Sequence, residues 1–199
     1  MKARITPRSF DSSFYRRFYL TPASQVVSRA DAERRAALIA LAVQELDVPV
    51  RRILDAGCGL GRFRRPLLKA FPNATYLGLE LSPYLCRKYG WIRGSIADYR
   101  GRGQFDLVIC NDVLQYLDDR SAARATENLA RLCRGVLHLH APTEQDFADR
   151  IDRDTTDFNV HLRTGAWYRR RLEPNFVHTG FGVHVRRGVA FVQWELEEK

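Results

Sequence analysis

The residue types best suited to chemistry stand in a short glycine-rich segment from Asp55 to Gly61 (DAGCGLG). It follows the apolar pair Ile53-Leu54, which predicts that a strand ends at Asp55. Glycine permits positive φ angles and lets the backbone approach a ligand closely. If a helix begins at about Gly61, its free N–H groups can bind a polar or anionic group. The segment therefore predicts a turn that holds a nucleotide-like ligand.

The glycine spacing narrows the class of ligand. A dinucleotide fold expects G-x-G-x-x-G, whose third glycine would fall at position 62. That position is Arg62, so close packing against a pyrophosphate is not supported. Glu80 follows the loop by about 20 residues, the offset at which an acidic side chain accepts both ribose hydroxyls. An isolated glutamate would more often be a surface charge, but the preceding loop favours a ribose-binding role for Glu80.

The elements that must position these residues alternate between strand and helix from residue 52 onward. Strands are predicted at 52–55, 75–80, 105–110 and 135–140, and helices at 61–70, 83–89 and 121–133, the last with Ser121 or Asp119 as its cap. Residues 105–110 (FDLVIC) are almost continuously apolar, which is typical of a parallel strand covered on both faces. The alternation predicts an α/β fold, a doubly wound Rossmann-like sheet that is mostly parallel with helices on both faces.

The segments on either side of this core have different patterns. Residues 10–20 carry aromatic side chains at helical spacing. A helix is predicted at 29–46, with Leu38, Leu41, Ala42 and Leu46 on one face. Residues 143–157 are strongly acidic with weak periodicity, and 164–172 predict a further helix. Two β-rich runs, 176–187 and 189–196, predict a C-terminal antiparallel hairpin joined at Arg187-Gly188.

These patterns predict a single domain over residues 1–199. We divide it into an N-terminal helical cap (1–48), a cofactor-binding core (50–142), a substrate lid region (143–172) and a C-terminal hairpin (173–199).

Four segments of the core resemble the motifs of class I S-adenosylmethionine-dependent methyltransferases. LDAGCGLGRF resembles the first motif, LGLELSP the segment after the second strand, FDLVICNDVLQYL the fourth-strand motif and GVLHLHAP the fifth strand. The resemblance covers residues 50–142 clearly and the terminal helix and hairpin loosely. It implies a methyltransferase with S-adenosylmethionine as cofactor and S-adenosylhomocysteine as product, and it says little about the acceptor.

The resemblance also implies roles for individual residues. The glycine loop would hold the methionine part of the cofactor, with Asp55 near its amino group. Glu80 would hold the ribose hydroxyls, and Leu81, with a segment around Ser95, would meet the adenine. An N-terminal tyrosine would contact the methionine carboxylate, or the aromatic residues would only staple the helix to the domain. The implied cofactor-binding residues are Tyr15, Tyr19, Asp55, Gly57, Cys58, Gly59, Gly61, Glu80, Leu81, Ser95, Ile96 and Asn111.

Catalysis would fall to residues after the fourth and fifth strands. Asp112 would lie beside the transferable methyl group, and His140 at the mouth of the site. Either could serve as general base if the acceptor must lose a proton early, although His140 could also be a structural histidine. The sequence CNDV departs from the N-P-P-Y type, which argues against DNA adenine methylation. No metal-binding pattern is predicted.

Several functions remain open at this stage. The preferred one is a methyltransferase acting by in-line displacement on a small-molecule acceptor. The net charge of +9 leaves RNA or protein as alternative acceptors, but the 28 Arg and 4 Lys residues are scattered, so nucleic acid is not favoured. A non-catalytic nucleotide-binding module or an NAD-dependent protein is the third alternative. The acidic stretch favours a basic acceptor and Arg169-Arg170-Arg171 an anionic one, and the sequence does not rank them.

The expected location is the cytoplasm. The N-terminus has no apolar run of the kind a signal peptide needs. No run of 18 apolar residues is present, so no contact with a membrane is expected. The four cysteines form no CxxC pair and are expected to be reduced thiols. The oligomeric state is left open.

Overall fold

A computed structural model describes residues 5–152 and 154–192, and its centre is a seven-stranded sheet with the order β3-β2-β1-β4-β5-β7-β6. The strands are β1 Arg52–Ala56, β2 Thr75–Glu80, β3 Ile92–Arg93, β4 Phe105–Asn111, β5 Cys133–His140, β6 Phe176–Gly180 and β7 Val183–Arg186. The helices are α1 Ser12–Tyr15, α2 Arg29–Glu45, α3 Arg64–Ala70, α4 Pro83–Tyr89, α5 Asp119–Leu132, α6 Glu144–Asp149 and α7 Gly165–Leu172. A π-helical turn, Arg16–Leu20, continues α1.

The sheet is parallel from β3 to β5 and antiparallel at its C-terminal edge. β1 pairs in parallel with both β2 and β4, and β7 lies antiparallel between β5 and β6. The strand order therefore reverses at β1, and open α/β sheets bind ligands at such a point, beyond the carboxyl ends of the strands. The predicted mostly parallel Rossmann-like sheet with a C-terminal antiparallel hairpin is confirmed.

Strand β4 shows why its sequence is apolar throughout. Leu107 and Ile109 belong to a buried cluster on one face of the sheet, and Val108 and Cys110 to a cluster on the other. All four side chains are fully buried because helices cover both faces.

The buried face of α2 differs from the predicted one. Leu46 is buried as predicted, but Leu38 and Leu41 are 45% and 58% exposed, and Ala36, Ile39 and Val43 are buried instead. The apolar residues of α2 occur on every side of the helix, so their spacing alone does not predict which side is buried. The small side chain of Ala36 allows close packing, which leaves the larger leucines outside.

Two helix starts also differ from prediction. α3 begins at Arg64, not at Gly61, because Gly61 has a φ of 69°, which a right-handed helix does not accept. The cap of α5 is Asp118, not Ser121 or Asp119. Its carboxylate accepts a hydrogen bond from the backbone N–H of Ser121 at 2.7 Å.

The C-terminal hairpin turns earlier than predicted. Its two connecting residues are Phe181 and Gly182, both with positive φ, as two-residue type I′ turns require. The predicted turn at Arg187-Gly188 is wrong. Residues 189–192 form no strand, and the rest of the predicted second run, 193–196, lies outside the described residues.

None of the helices in the described part of the chain combines the length and the apolar character that crossing a membrane requires.

Candidate cofactor and active site

A cavity opens at the carboxyl ends of β1, β2 and β4, where the strand order reverses. It brings together nearly all of the residues that the sequence assigned to the cofactor. Those that line it are Tyr15, Tyr19, Asp55, Gly57, Cys58, Gly59, Glu80, Leu81, Ser95, Ile96 and Asn111, together with Asp112. Of the predicted site residues, Gly61 and His140 lie outside its lining.

The glycine loop forms the floor of this cavity through its backbone. Gly57 and Cys58 both donate their N–H groups to the Leu79 carbonyl, which ties the loop to β2. Gly59 has a φ of 51°, and a Cβ added there would meet no other atom within 4 Å. This glycine therefore leaves space that a bound molecule can fill.

Gly61 has a packing role that the sequence did not indicate. A Cβ at this position would lie 2.6 Å from Cζ2 of Trp91. The Trp91 indole also donates a hydrogen bond from Nε1 to the Gly59 carbonyl at 3.0 Å. Gly61 thus allows Trp91 to support the loop from outside the cavity.

Glu80 ends β2 with a buried carboxylate that faces the loop. Its Oε2 accepts from the Gly59 N–H and its Oε1 from the Ser82 N–H, both at 2.8 Å. The Tyr15 hydroxyl lies 3.5 Å from Oε1. Burial raises the pKa of Glu80 despite these donors. The carboxylate is held in place by backbone groups and has no cationic partner among the described residues.

Asp55 is a second buried carboxylate in the same cavity. Tyr76 donates to its Oδ2 at 2.5 Å, and no cation of the described chain pairs with it. Burial raises the pKa of Asp55 to about 7. Two buried carboxylates without cationic partners fit a ligand that carries positive charge and hydroxyl groups. The residues present therefore fit S-adenosylmethionine, which has an ammonium, a sulfonium and a ribose.

The raised pKa of Asp55 predicts a pH effect on the ligand-free protein. Between pH 4 and 7 the folded state keeps a proton that the unfolded state has lost, so stability falls as pH rises through this window, by roughly 4 kcal/mol at most. Asp55→Asn removes this titration and keeps an oxygen acceptor for Tyr76. We expect urea unfolding to show that the variant gains stability over wild type between pH 5 and pH 8. Parallel pH profiles for the two proteins would contradict the assignment.

The N-terminal segment covers the cavity. Phe10, Phe14, Tyr15 and Tyr19 line it, and Ser82 donates from its hydroxyl to the Phe10 carbonyl at 2.5 Å. Tyr15 lies beside Glu80, at the expected ribose end of the site. The aromatic residues line the cavity and hold the segment against the domain, and contact of a tyrosine with the methionine carboxylate stays a prediction.

Arg62 fastens this covering segment to the glycine loop. Its two Nη groups donate to the carbonyls of Val27 at 2.7 Å and Tyr19 at 2.6 Å. The sequence marked Arg62 only as the residue that replaces a dinucleotide glycine. Its hydrogen bonds to residues far earlier in the chain could not be predicted from the motif.

Asp112 lies at the centre of a polar network after β4. It has a φ of 56°, a strained angle for a residue other than glycine. Asn111 donates from Nδ2 to its Oδ2, and Nδ1 of His140 lies beside its Oδ1, both at 2.7 Å. His140 has a side chain that is 45% exposed and stands outside the cavity lining. The structure thus joins the two predicted catalytic residues directly.

Arg35 completes this network, and no motif in the sequence indicated it. Its Nη1 donates to Oδ1 of Asn111 at 3.2 Å and lies 3.6 Å from Oδ2 of Asp112. Arg35 belongs to α2, where Arg29 and Arg34 carry the same charge and face solvent. Only the rotation of the helix distinguishes it from them.

Known proteins with similar sequences are methyltransferases. A family model described as a methyltransferase domain matches residues 54–136. The chain is 36% identical over 126 residues to trans-aconitate 2-methyltransferase of Deinococcus radiodurans, covering 57% of this chain and 47% of that protein. It is 27% identical over 150 residues to ubiquinone biosynthesis O-methyltransferase of Bordetella avium, covering 69% and 58%. The chain thus spans less than two thirds of the length of either relative.

The fold also has a solved counterpart. The crystal structure of magnesium protoporphyrin IX methyltransferase from Synechocystis PCC 6803, with S-adenosylmethionine bound, superposes with a TM-score of 0.64 at 18% identity. The superposition covers 94% of this chain and 100% of that one. Over residues 54–136 the chain thus matches a methyltransferase domain in sequence, and its fold is similar to that of a solved methyltransferase with S-adenosylmethionine bound.

Proposed function

We propose that this protein transfers a methyl group from S-adenosylmethionine to a small-molecule acceptor. The observation that carries the proposal is the single cavity in which Asp55, Glu80 and Asp112 converge from the ends of β1, β2 and β4. The named relatives, which include trans-aconitate and ubiquinone-biosynthesis methyltransferases, support a small acceptor.

Each wall of the cavity suits one part of the cofactor. Glu80 would accept from the ribose hydroxyls, Leu81 and Ile96 with Ser95 would meet the adenine, and Asp55 would attract the ammonium group. When bound, S-adenosylmethionine supplies a methyl group on a positively charged sulfur. The protein therefore has to align the acceptor and exclude water, for which the aromatic N-terminal segment is suited.

His140 and Asp112 are the proposed acid–base pair. When the protonated Nδ1 of His140 donates a hydrogen bond to Asp112, the other ring nitrogen, Nε2, is free to accept a proton. Such a pair can accept the proton of a hydroxyl or amine acceptor. Asn111 and Arg35 hold Asp112 from its other side.

Residues 143–172 are the proposed acceptor-side lid. They are fixed to the loop after β4 by buried Arg163, which donates to the carbonyls of Leu114 at 2.9 Å and Leu117 at 2.5 Å. Its Nε also donates to Asp119 at 2.9 Å. This anchor supports a lid whose base is fixed relative to the network around Asp112.

Thermal denaturation with added ligands tests the proposed cofactor. A ligand present at 100 times its Kd stabilises the folded state by about 2.7 kcal/mol, which corresponds to a rise in Tm of about 5–10 °C for a chain of this size. We expect this rise with S-adenosylhomocysteine and none with NAD. A rise with NAD alone would instead support the dinucleotide alternative.

A further inference from the structure

The cavity contains one cation whose hydrogen-bonding capacity is largely unused. Arg35 and Arg62 are the arginines in the cavity lining. Arg62 donates hydrogen bonds from both of its Nη groups, to the carbonyls of Val27 and Tyr19. Within residues 5–152 and 154–192, Arg35 makes a single hydrogen bond, from Nη1 to Asn111. A guanidinium has five N–H donors, so Arg35 can still receive an anion.

The acidic neighbour of Arg35 does not use this capacity. Oδ2 of Asp112 lies 3.6 Å from Nη1 of Arg35, which is longer than a hydrogen bond. Both Asp112 oxygens already have closer partners at 2.7 Å, one in Asn111 and one in His140. The Arg35 side chain is 37% exposed and is therefore accessible to a molecule that enters the cavity.

We propose that Arg35 binds a carboxylate of the methyl acceptor and so restricts the enzyme to small carboxylic acids. The planar guanidinium matches a carboxylate through two parallel hydrogen bonds. A carboxylate carries one negative charge and meets less repulsion from Asp112 than a phosphate dianion. An amine is disfavoured because Arg35 repels it and Asp112 already has its partners. The identification of the carboxylate as the methyl acceptor's rests on the proposed function.

The surroundings of Arg35 agree with this assignment. Val27, Ala32 and Phe63 line the cavity near the start of α2 and offer apolar contacts to the carbon skeleton of an organic acid. His140, the proposed base, joins the same network through Asp112. The acceptor site would thus lie between α2 and the end of β5.

Calorimetric titration tests this proposal. Benzoate, succinate and citrate are titrated into the protein, with benzamide and dimethyl succinate as uncharged counterparts and inorganic phosphate and benzylamine as charged ones. Arg35→Gln removes the cation, and Arg35→Lys keeps the charge but lacks the two parallel N–H donors of the guanidinium. Arg34→Gln is the matched control. Arg34 is the preceding residue on α2, and its side chain is 76% exposed. Each titration is made with and without saturating S-adenosylhomocysteine, whose own binding is measured first.

We expect at least one carboxylate to bind wild type and Arg34→Gln equally. Arg35→Gln should weaken that binding at least about tenfold and Arg35→Lys by less, while the uncharged counterparts should not bind. The proposal is overturned if no carboxylate binds, if Arg35→Gln binds like wild type, or if phosphate or benzylamine binds more tightly. Failure of S-adenosylhomocysteine to bind wild type would contradict the proposed function instead, and the titrations without it would still decide the role of Arg35.

Discussion

Glu80→Ala is expected to weaken S-adenosylhomocysteine binding at least about a hundredfold. The carboxylate would contribute two charge-assisted hydrogen bonds to the ribose, each worth about 1.5–3 kcal/mol. Backbone donors from Gly59 and Ser82 hold it in place before any ligand arrives. Little ordering is therefore left to the binding step, and most of this interaction energy should contribute to affinity.

The same substitution should also reduce stability, and the two effects can be separated. Without the carboxylate, the N–H groups of Gly59 and Ser82 lose their acceptor, at about 1 kcal/mol each because water can enter from the cavity. Glu80→Gln keeps the volume and one acceptor oxygen, so we expect it to lose less affinity than alanine. Calorimetric titration at a temperature where thermal denaturation shows each variant folded gives the affinity alone.

Glu173→Gln is the control for removal of one carboxylate. Glu173 is exposed at the C-terminal end of α7 and outside the cavity lining, so the variant should bind S-adenosylhomocysteine as wild type does. If Glu80→Ala also retained wild-type affinity, Glu80 would be a structural acceptor for the loop and the ribose would bind elsewhere.

Several of the predicted residues that line the cavity share one property: each ends a strand or follows one. Asp55, Glu80 and Asn111 stand at or near the carboxyl ends of β1, β2 and β4. The register of parallel strands then fixes their neighbours, with Asp55 aligned to Gly78 on one side and Ile109 on the other. Sequence motifs identify such residues because strand direction is enough to place them at one edge of the sheet.

The features missed by the sequence depend on contacts between distant elements. Arg35 faces the cavity because the side of α2 that carries Ala36 packs against the domain. Apolar residues occur on every side of this helix, so the sequence did not indicate which side would be buried. Gly61 has the positive φ of a ligand-binding glycine, yet the group that approaches it is the ring of Trp91. The C-terminal segment has three glycines, Gly180, Gly182 and Gly188, and the turn forms at Phe181-Gly182, before the strand that pairs with β5.

Gly57→Ala is expected to be among the most destabilising single changes in the cavity floor, by about 2–6 kcal/mol. Gly57 has a φ of 80°, which costs a residue with a Cβ about 1–3 kcal/mol. The new Cβ would also lie 2.3 Å from Cγ2 of Val113, and relieving such overlap costs about 1–3 kcal/mol. Out of the 5–15 kcal/mol that typically stabilises a domain, this loss should be plain in urea unfolding.

Two further variants separate backbone strain from overlap. Gly188→Ala has a comparable φ of 85° and no atom within 4 Å of the new Cβ, so it should show the backbone cost alone. Val113→Ala removes the overlapping methyl groups, so the Gly57→Ala/Val113→Ala double variant should be more stable than the sum of the single effects, by about 1–3 kcal/mol.

That coupling would report on the architecture of the site itself. Val113 directly follows Asn111 and Asp112, so its contact with Gly57 holds the end of β4 against the glycine loop of β1. In the proposed site, the distance between these two loops would set the space between the cofactor's methionine end and the network of Asp112. Strictly additive costs in the double variant would mean that Val113 does not restrain the loop, and the cavity floor would then need another support.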